Sequence, residues 1–162
     1  MRRVLLLHLD GKLPNLALMR LAAHHRDLGD QVELRRCDNP RMLGPRFGDP
    51  QWDKVYGSLI FERTQMTAHR VLELYPQAVL GGTGFSLGLK LEDIGVTTRR
   101  VDYSDYPAWR QSIGFTQRGC RLRCPFCVVP QKEGAVAEAQ SVWEIWRGEP
   151  WPRELLLLDN DF

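Results

Sequence analysis

The chain has 162 residues, 43% of them apolar, with 22 basic and 20 acidic side chains and a net charge of +2. A chain of this order holds one domain, or one domain and part of another, and can bury a sizeable core. The near balance of charge argues against a dedicated nucleic-acid binder, which carries a clear basic excess.

The N-terminal apolar run, Val4 to Leu7, is interrupted by His8 and ended by Asp10. A secretory signal needs roughly 7–15 apolar residues, and no window approaches the roughly 20 of a membrane span. These features indicate a cytoplasmic protein with no membrane partner. In that compartment four cysteines, three of them clustered, point to metal or redox chemistry rather than a disulfide frame.

In chain order, RVLLLHL (3–9) reads as a buried strand and DGKLPN (10–15) as a turn. A helix follows over 16–30, where Leu18, Leu21, Ala22, His25 and Leu28 recur at helical spacing and Gly29 supplies the C-cap. QVEL (31–34) is a second strand, and a polar link runs from about Asp38 to Asp53. KVYGSLIF (54–61) is a third strand, MTAHRVLELY (66–75) a second helix, and AVLGGTG (78–84) a short fourth strand entering a glycine turn at Gly81 and Gly82. RRVDYSDYP (99–107) is an extended exit. This alternation predicts a Rossmann- or flavodoxin-like α/β domain over 1–106. Its parallel sheet has four or five strands, helices on both faces and the first strand central. Right-handed crossovers bring DGKLPN and FERTQ (61–65) together at the switch point, with GGTGFS (81–86) nearby. His8 is expected in the sheet, and His24, His25 and His69 at the surface.

The composition changes near residue 107. A strand is predicted over Ser112–Thr116, a short amphipathic helix over SVWEIW (141–146), and a buried-type strand in ELLLLDNDF (154–162). Between them lies RGCRLRCPFCVVPQKEG (118–134), which spaces Cys120, Cys124 and Cys127 as C-x3-C-x2-C. Three thiolates can each hold one iron of a cuboidal cluster, and the fourth iron then has no ligand from this loop. Such an open iron can coordinate a small molecule. A zinc site usually takes four ligands; this loop offers three, with Cys37 distant in sequence and His24 and His25 on a predicted helix. Arg118, Arg121 and Arg123 would offset the thiolate charge.

This loop resembles the signature of the radical S-adenosylmethionine (SAM) superfamily, C-x3-C-x-aromatic-C, with Phe126 at the aromatic position. SIGFTQRGC (112–120) is similar to the first barrel strand of that family. The resemblance implies a [4Fe–4S] cluster held by Cys120, Cys124 and Cys127. Its open iron would chelate the amine and carboxylate of SAM, and reduction would release a 5′-deoxyadenosyl radical that takes a hydrogen atom from substrate. It implies adenine beside Phe126, and the SAM amino group at the end of the second strand. There the family often carries Gly-Gly-Glu, and this chain carries Asp159, Asn160 and Asp161.

Residues 1–106 resemble the cobalamin-binding-type α/β domain that precedes the radical SAM barrel in one large subgroup. The match lies in DGKLPNLALMRLAAHHRDLGD, AVLGGTGFS and DYSDYP. Members that ligate cobalt use Asp-x-His-x-x-Gly. Asp10 fits, but Lys12 stands at the histidine position and Asn15 at the final glycine, and a protonated lysine cannot ligate cobalt. Gly81 and Gly82 could still admit the cobalamin nucleotide tail. The departures disfavour cobalamin without removing it from the candidate cofactors, and they favour an inherited fold that binds substrate or packs on the barrel. A complete barrel takes about 250 residues, whereas 107–162 has room for two strands and one helix. The chain is therefore expected to hold only the first part of a radical SAM domain and to lack activity alone. Two functions follow: a radical SAM enzyme or its N-terminal part, or a non-catalytic α/β binding module with a structural zinc or iron–sulfur loop.

Overall fold

The computed structural model describes residues 1–37 and 42–161. The start of the predicted link, 38–41, and Phe162 lie outside the described residues. The chain divides into two compact units, Met1–Tyr106 and Pro107–Phe162.

In the first unit four strands, β1 (Arg3–His8), β2 (Gln31–Arg36), β3 (Lys54–Ser58) and β4 (Val79–Gly81), form one sheet in the order β2-β1-β3-β4. All three pairings are parallel, and Leu6 sits opposite Leu34 on one side and Tyr56 on the other. Because β1 is paired on both edges and covered on both faces, Val4 to His8 are all buried. Such a strand reads as a continuous apolar run rather than an alternation. The two faces separate with a period of two. Val4 and Leu6 pack with Leu18, Leu21 and Ala22 of helix α1 (Leu16–Asp27). Leu5, Leu7 and Leu9 pack with Ala68 and Val71 of helix α2 (Gln65–Leu74). The helices therefore cover opposite faces of an α/β unit with a parallel sheet, compatible with a Rossmann- or flavodoxin-like fold. Each fully buried leucine here contributes about 1.5–3 kcal/mol.

Helix α1 starts at Asn15, whose side chain accepts from the N–H groups of Ala17 and Leu18, satisfying donors that the first helical turn cannot pair internally. Its Arg26 donates to Asp102 and Asp105 and so fixes the exit segment. The part of the link that is described returns to the sheet edge through Arg35, which is buried and makes paired hydrogen bonds to Asp49 at 2.8 and 2.5 Å.

Two expectations change in this unit. His25 is buried, not at the surface. Its Nδ1 lies 2.9 Å from Asp30 and its Nε2 lies 3.3 Å from the Tyr56 hydroxyl, so the polar ring is fully paired inside. The third strand, predicted through Phe61, ends at Ser58. The N–H groups of Ile60 and Phe61 leave the ladder for the Asp10 carboxylate, at 2.7 and 2.9 Å.

The second unit contains two small sheets. β5 (Ser112–Gly114) runs parallel to β8 (Leu155–Leu157), and β6 (Gln117–Arg118) pairs antiparallel with β7 (Ala137–Glu138). Two short helices lie between these strands, α3 (Val129–Lys132) and α4 (Val142–Ile145). The second of them starts with a reciprocal Ser141–Glu144 capping box. The strand expected to reach Thr116 stops at Gly114, because the Thr116 N–H turns to the side chain of Asp159 at 2.8 Å. Among the described residues no helix is long and apolar enough to cross a membrane.

Candidate metal loop and the strand ends around it

In an open α/β sheet the crevice beyond the carboxyl ends of the strands is the usual ligand site. In the first unit that place is filled by the chain's own polar groups. The Asp10 carboxylate takes the Ile60 and Phe61 N–H groups and, at 2.6 Å, the Thr64 hydroxyl just before α2. It stands where an anionic ligand would meet a helix N-terminus. Asn15 donates to the Ser58 hydroxyl at 2.9 Å. The Tyr106 hydroxyl lies 3.3 Å from the Asn15 N–H and 3.2 Å from Nδ1 of His8. Burial pushes the Tyr106 phenol up to about 12, which keeps it neutral.

The glycine turn is also spent internally. Gly82 has φ +97°, and a Cβ there would fall 2.1 Å from the Leu59 carbonyl oxygen. Its missing side chain lets two protein backbones cross rather than admitting a ligand. Gly81, the last residue of β4, would place a Cβ 3.6 Å from Leu89. Lys12 is exposed. The DGKLPN loop offers no imidazole to a cobalt, and its acid and its asparagine are engaged with the protein.

In the second unit the cysteine loop leaves from β6 and returns at β7. The neck is closed by the pairs Gln117–Glu138 and Arg118–Ala137, with Ala139 N–H donating to Thr116 at 2.9 Å. Gly119, at φ +82°, opens the loop so close to its return that a Cβ would fall 2.3 Å from the Ala135 carbonyl oxygen. The loop then turns twice through short contacts: Leu122 N–H donates to Sγ of Cys120 at 3.4 Å, and Cys127 N–H donates to the Cys124 carbonyl at 3.0 Å. N–H donation to a cysteine sulfur spreads its charge, and in cluster proteins such bonds help set the potential.

Cys120, Cys124 and Cys127 are each half-buried and line one cavity of ≈570 Å³, with Arg121, Arg123 and Pro125 on the same wall. That volume lies within the range of about 300–1,000 Å³ typical of small-molecule sites. Among the described residues no three His, Cys, Asp or Glu side chains are gathered as closely as a metal ion requires. The donor set still fits a cluster in kind: three thiol-bearing residues line one cavity, and Arg121 and Arg123 line it too. Cys37 belongs to the leucine-rich core of the first unit, with its Sγ 3.7 Å from the Arg35 carbonyl oxygen. Phe126 is 92% exposed and is not part of the cavity wall.

The tail of β8 holds the loop at three points. Asp159 accepts from the N–H groups of Thr116 and Gln117 at 2.8 and 3.3 Å and from the Thr116 hydroxyl. Asp161 accepts from the Arg121 N–H at 2.9 Å and pairs with its Nε at 3.2 Å. Asn160 donates to Glu133 at 3.1 Å. Sequence reasoning placed Asp159, Asn160 and Asp161 beside the cysteine loop but gave their oxygens to a ligand, whereas the two carboxylates accept from the loop strand and the Asn160 amide donates to Glu133. It also missed Glu133 and Thr116, whose partners lie far along the chain. The one local signal was Glu133 immediately before Gly134, as the loop turns back. Comparisons with family models, with curated proteins and with solved structures found no match.

Proposed function

We propose that residues 107–162 carry the cluster-binding loop of a radical SAM enzyme, with Cys120, Cys124 and Cys127 as ligands of a [4Fe–4S] cluster open to SAM at one iron. The observation that carries this reading is the shared cavity: three thiols spaced C-x3-C-x2-C line it, and a closed neck presents them. A bound cluster supplies the electron that cleaves the sulfonium of SAM. The chain's own residues bind and orient. Arg121 and Arg123 set positive charge beside the thiolates, the Leu122 N–H supports Cys120, and exposed Phe126 offers an apolar face for adenine next to the ligands. Asp159 and Asp161 serve the loop first, so a SAM ammonium would have to share their oxygens, whereas Asn160 is held through its amide nitrogen. In this reading the first unit binds substrate or packs on the catalytic domain, and no cobalamin step is assigned to it.

Anaerobic reconstitution with iron and sulfide tests the proposal. Wild-type protein is expected to take up about four irons and four sulfides and turn brown. Ala substitution of Cys120, Cys124 or Cys127 should abolish this, while Cys37→Ala keeps it. Added SAM should perturb the spectrum of the reduced cluster. Stoichiometric zinc without sulfide would overturn the proposal in favour of a non-catalytic module with a structural zinc loop. Loss of the cluster in Cys37→Ala would remove the open iron and with it the SAM chemistry.

A further inference from the structure

Glu133 sits on the return limb of the cysteine loop, just after α3, with only 11% of its side chain exposed. Three donors from three parts of the second unit converge on its carboxylate. Arg118 of β6 reaches Oε1 at 2.6 Å, and the Gly119 N–H and the Asn160 amide reach Oε2 at 3.0 and 3.1 Å. Arg118 is itself held from the other side, its guanidinium lying 4.0 Å over the Phe115 ring. Gly119 directly precedes Cys120, and its backbone touches that of Ala135. The carboxylate thus ties the start of the loop, its end and the tail of β8 together, one residue before the first thiol. All three partners donate, so an acceptor-only group fits, and an amide would turn an N–H toward a donor.

We propose that Glu133 is the positioning residue of the metal loop: its carboxylate fixes where Cys120 enters the cavity before any metal is bound. This rests on the metal-loop reading above. Charged hydrogen bonds to a largely buried carboxylate are strong and specific in geometry, and removing groups that orient metal ligands typically costs about 10–100-fold in metal affinity.

The test compares wild type, Glu133→Gln and Glu133→Ala in the full chain by two readouts. The first is the rate at which a chelator bleaches the reconstituted cluster. Glu133→Ala is expected to bleach roughly 10–100-fold faster than wild type, and Glu133→Gln, which keeps one acceptor oxygen, to fall between. The second is the alkylation rate of each thiol in the metal-free protein. Cys120 should react faster in Glu133→Ala while Cys37 stays unchanged. If wild type loads no cluster, the metal-loop reading fails, and the alkylation pattern alone decides the role of Glu133. If wild type loads and both variants bleach and alkylate at its rates, the positioning role fails while the metal loop stands. Should Glu133→Ala not fold, Glu133→Gln decides, and wild-type rates there overturn the proposal.

Discussion

His25 illustrates how a residue counted as surface becomes part of the core. It falls on the helical stripe with Leu18, Leu21 and Ala22, so position alone buries it, and Asp30 and Tyr56 then satisfy both ring nitrogens. A carboxylate only accepts, so Nδ1–H must donate to Asp30 and Nε2 must accept from Tyr56. Burial holds the imidazole below its ordinary value and outweighs the pull of the Asp30 hydrogen bond, so the folded state keeps it neutral. The His25 hydrogen bond, helped by the Arg2 N–H, holds the Asp30 carboxyl below its usual range. For both groups the folded state binds fewer protons than the unfolded state. The His25 contribution is therefore complete above about pH 6.5 and is lost as pH falls toward the lowered value; that of Asp30 is lost only below about pH 4. The expected outcome is a urea midpoint that drops from pH 7 to pH 5 in wild type and drops less in His25→Gln. Equal slopes in the two proteins would remove His25 as the cause.

At the scale of elements, sequence periodicity located most of the pieces and misjudged their ends for one recurring reason. The sequence predicts β3 through Phe61 and β5 through Thr116, because apolar and β-branched residues continue past both observed strand ends. In each case a distant aspartate captures the next backbone N–H groups: Asp10 takes those of Ile60 and Phe61, and Asp159 takes those of Thr116 and Gln117. No local pattern announces a partner some fifty residues away. The two-residue strands β6 and β7 and the four-residue α3 are too short to show a period. The cysteine spacing was legible because it is contiguous, whereas the carboxylates that shape the loop were not, because their partners come from folding. Asp159 continues the β5–β8 ladder with a side chain, just past the Leu158 N–H bond to the Gly114 carbonyl at 2.9 Å. Asp159→Ala leaves two backbone donors without this acceptor and should cost about 1.5–3 kcal/mol of second-unit stability. Asp159→Asn, which retains one acceptor oxygen, should cost less. Denaturant melts followed through the tryptophans of that unit measure both, and an unchanged midpoint in Asp159→Ala would sink the assignment.

Across the whole molecule the two units differ in what stabilises them. The first has two apolar clusters, one on each face of its sheet, built from β1 outward. In the second, among the described residues, the fully buried apolar side chains are Ile113 and Ile145, and the leucines of β8 are half-buried. A unit of about sixty residues buries only about 60% of its unfolded surface, so its core alone supplies a small stability margin. Its order here comes instead from the polar ties of Asp159, Asp161 and Glu133 around the cysteine loop. A ligand that binds only the folded loop adds stability that grows with the logarithm of its concentration relative to its dissociation constant. Iron and sulfide loading should therefore slow amide exchange across 116–138, where the neck and the thiols lie. The β1 amides, already protected by pairing on both edges, should exchange at the same rate with and without the cluster. Hydrogen exchange read by mass spectrometry checks this. A loaded protein whose 116–138 peptides exchange as fast as those of the metal-free form would show that the loop gains nothing from the metal it is proposed to hold.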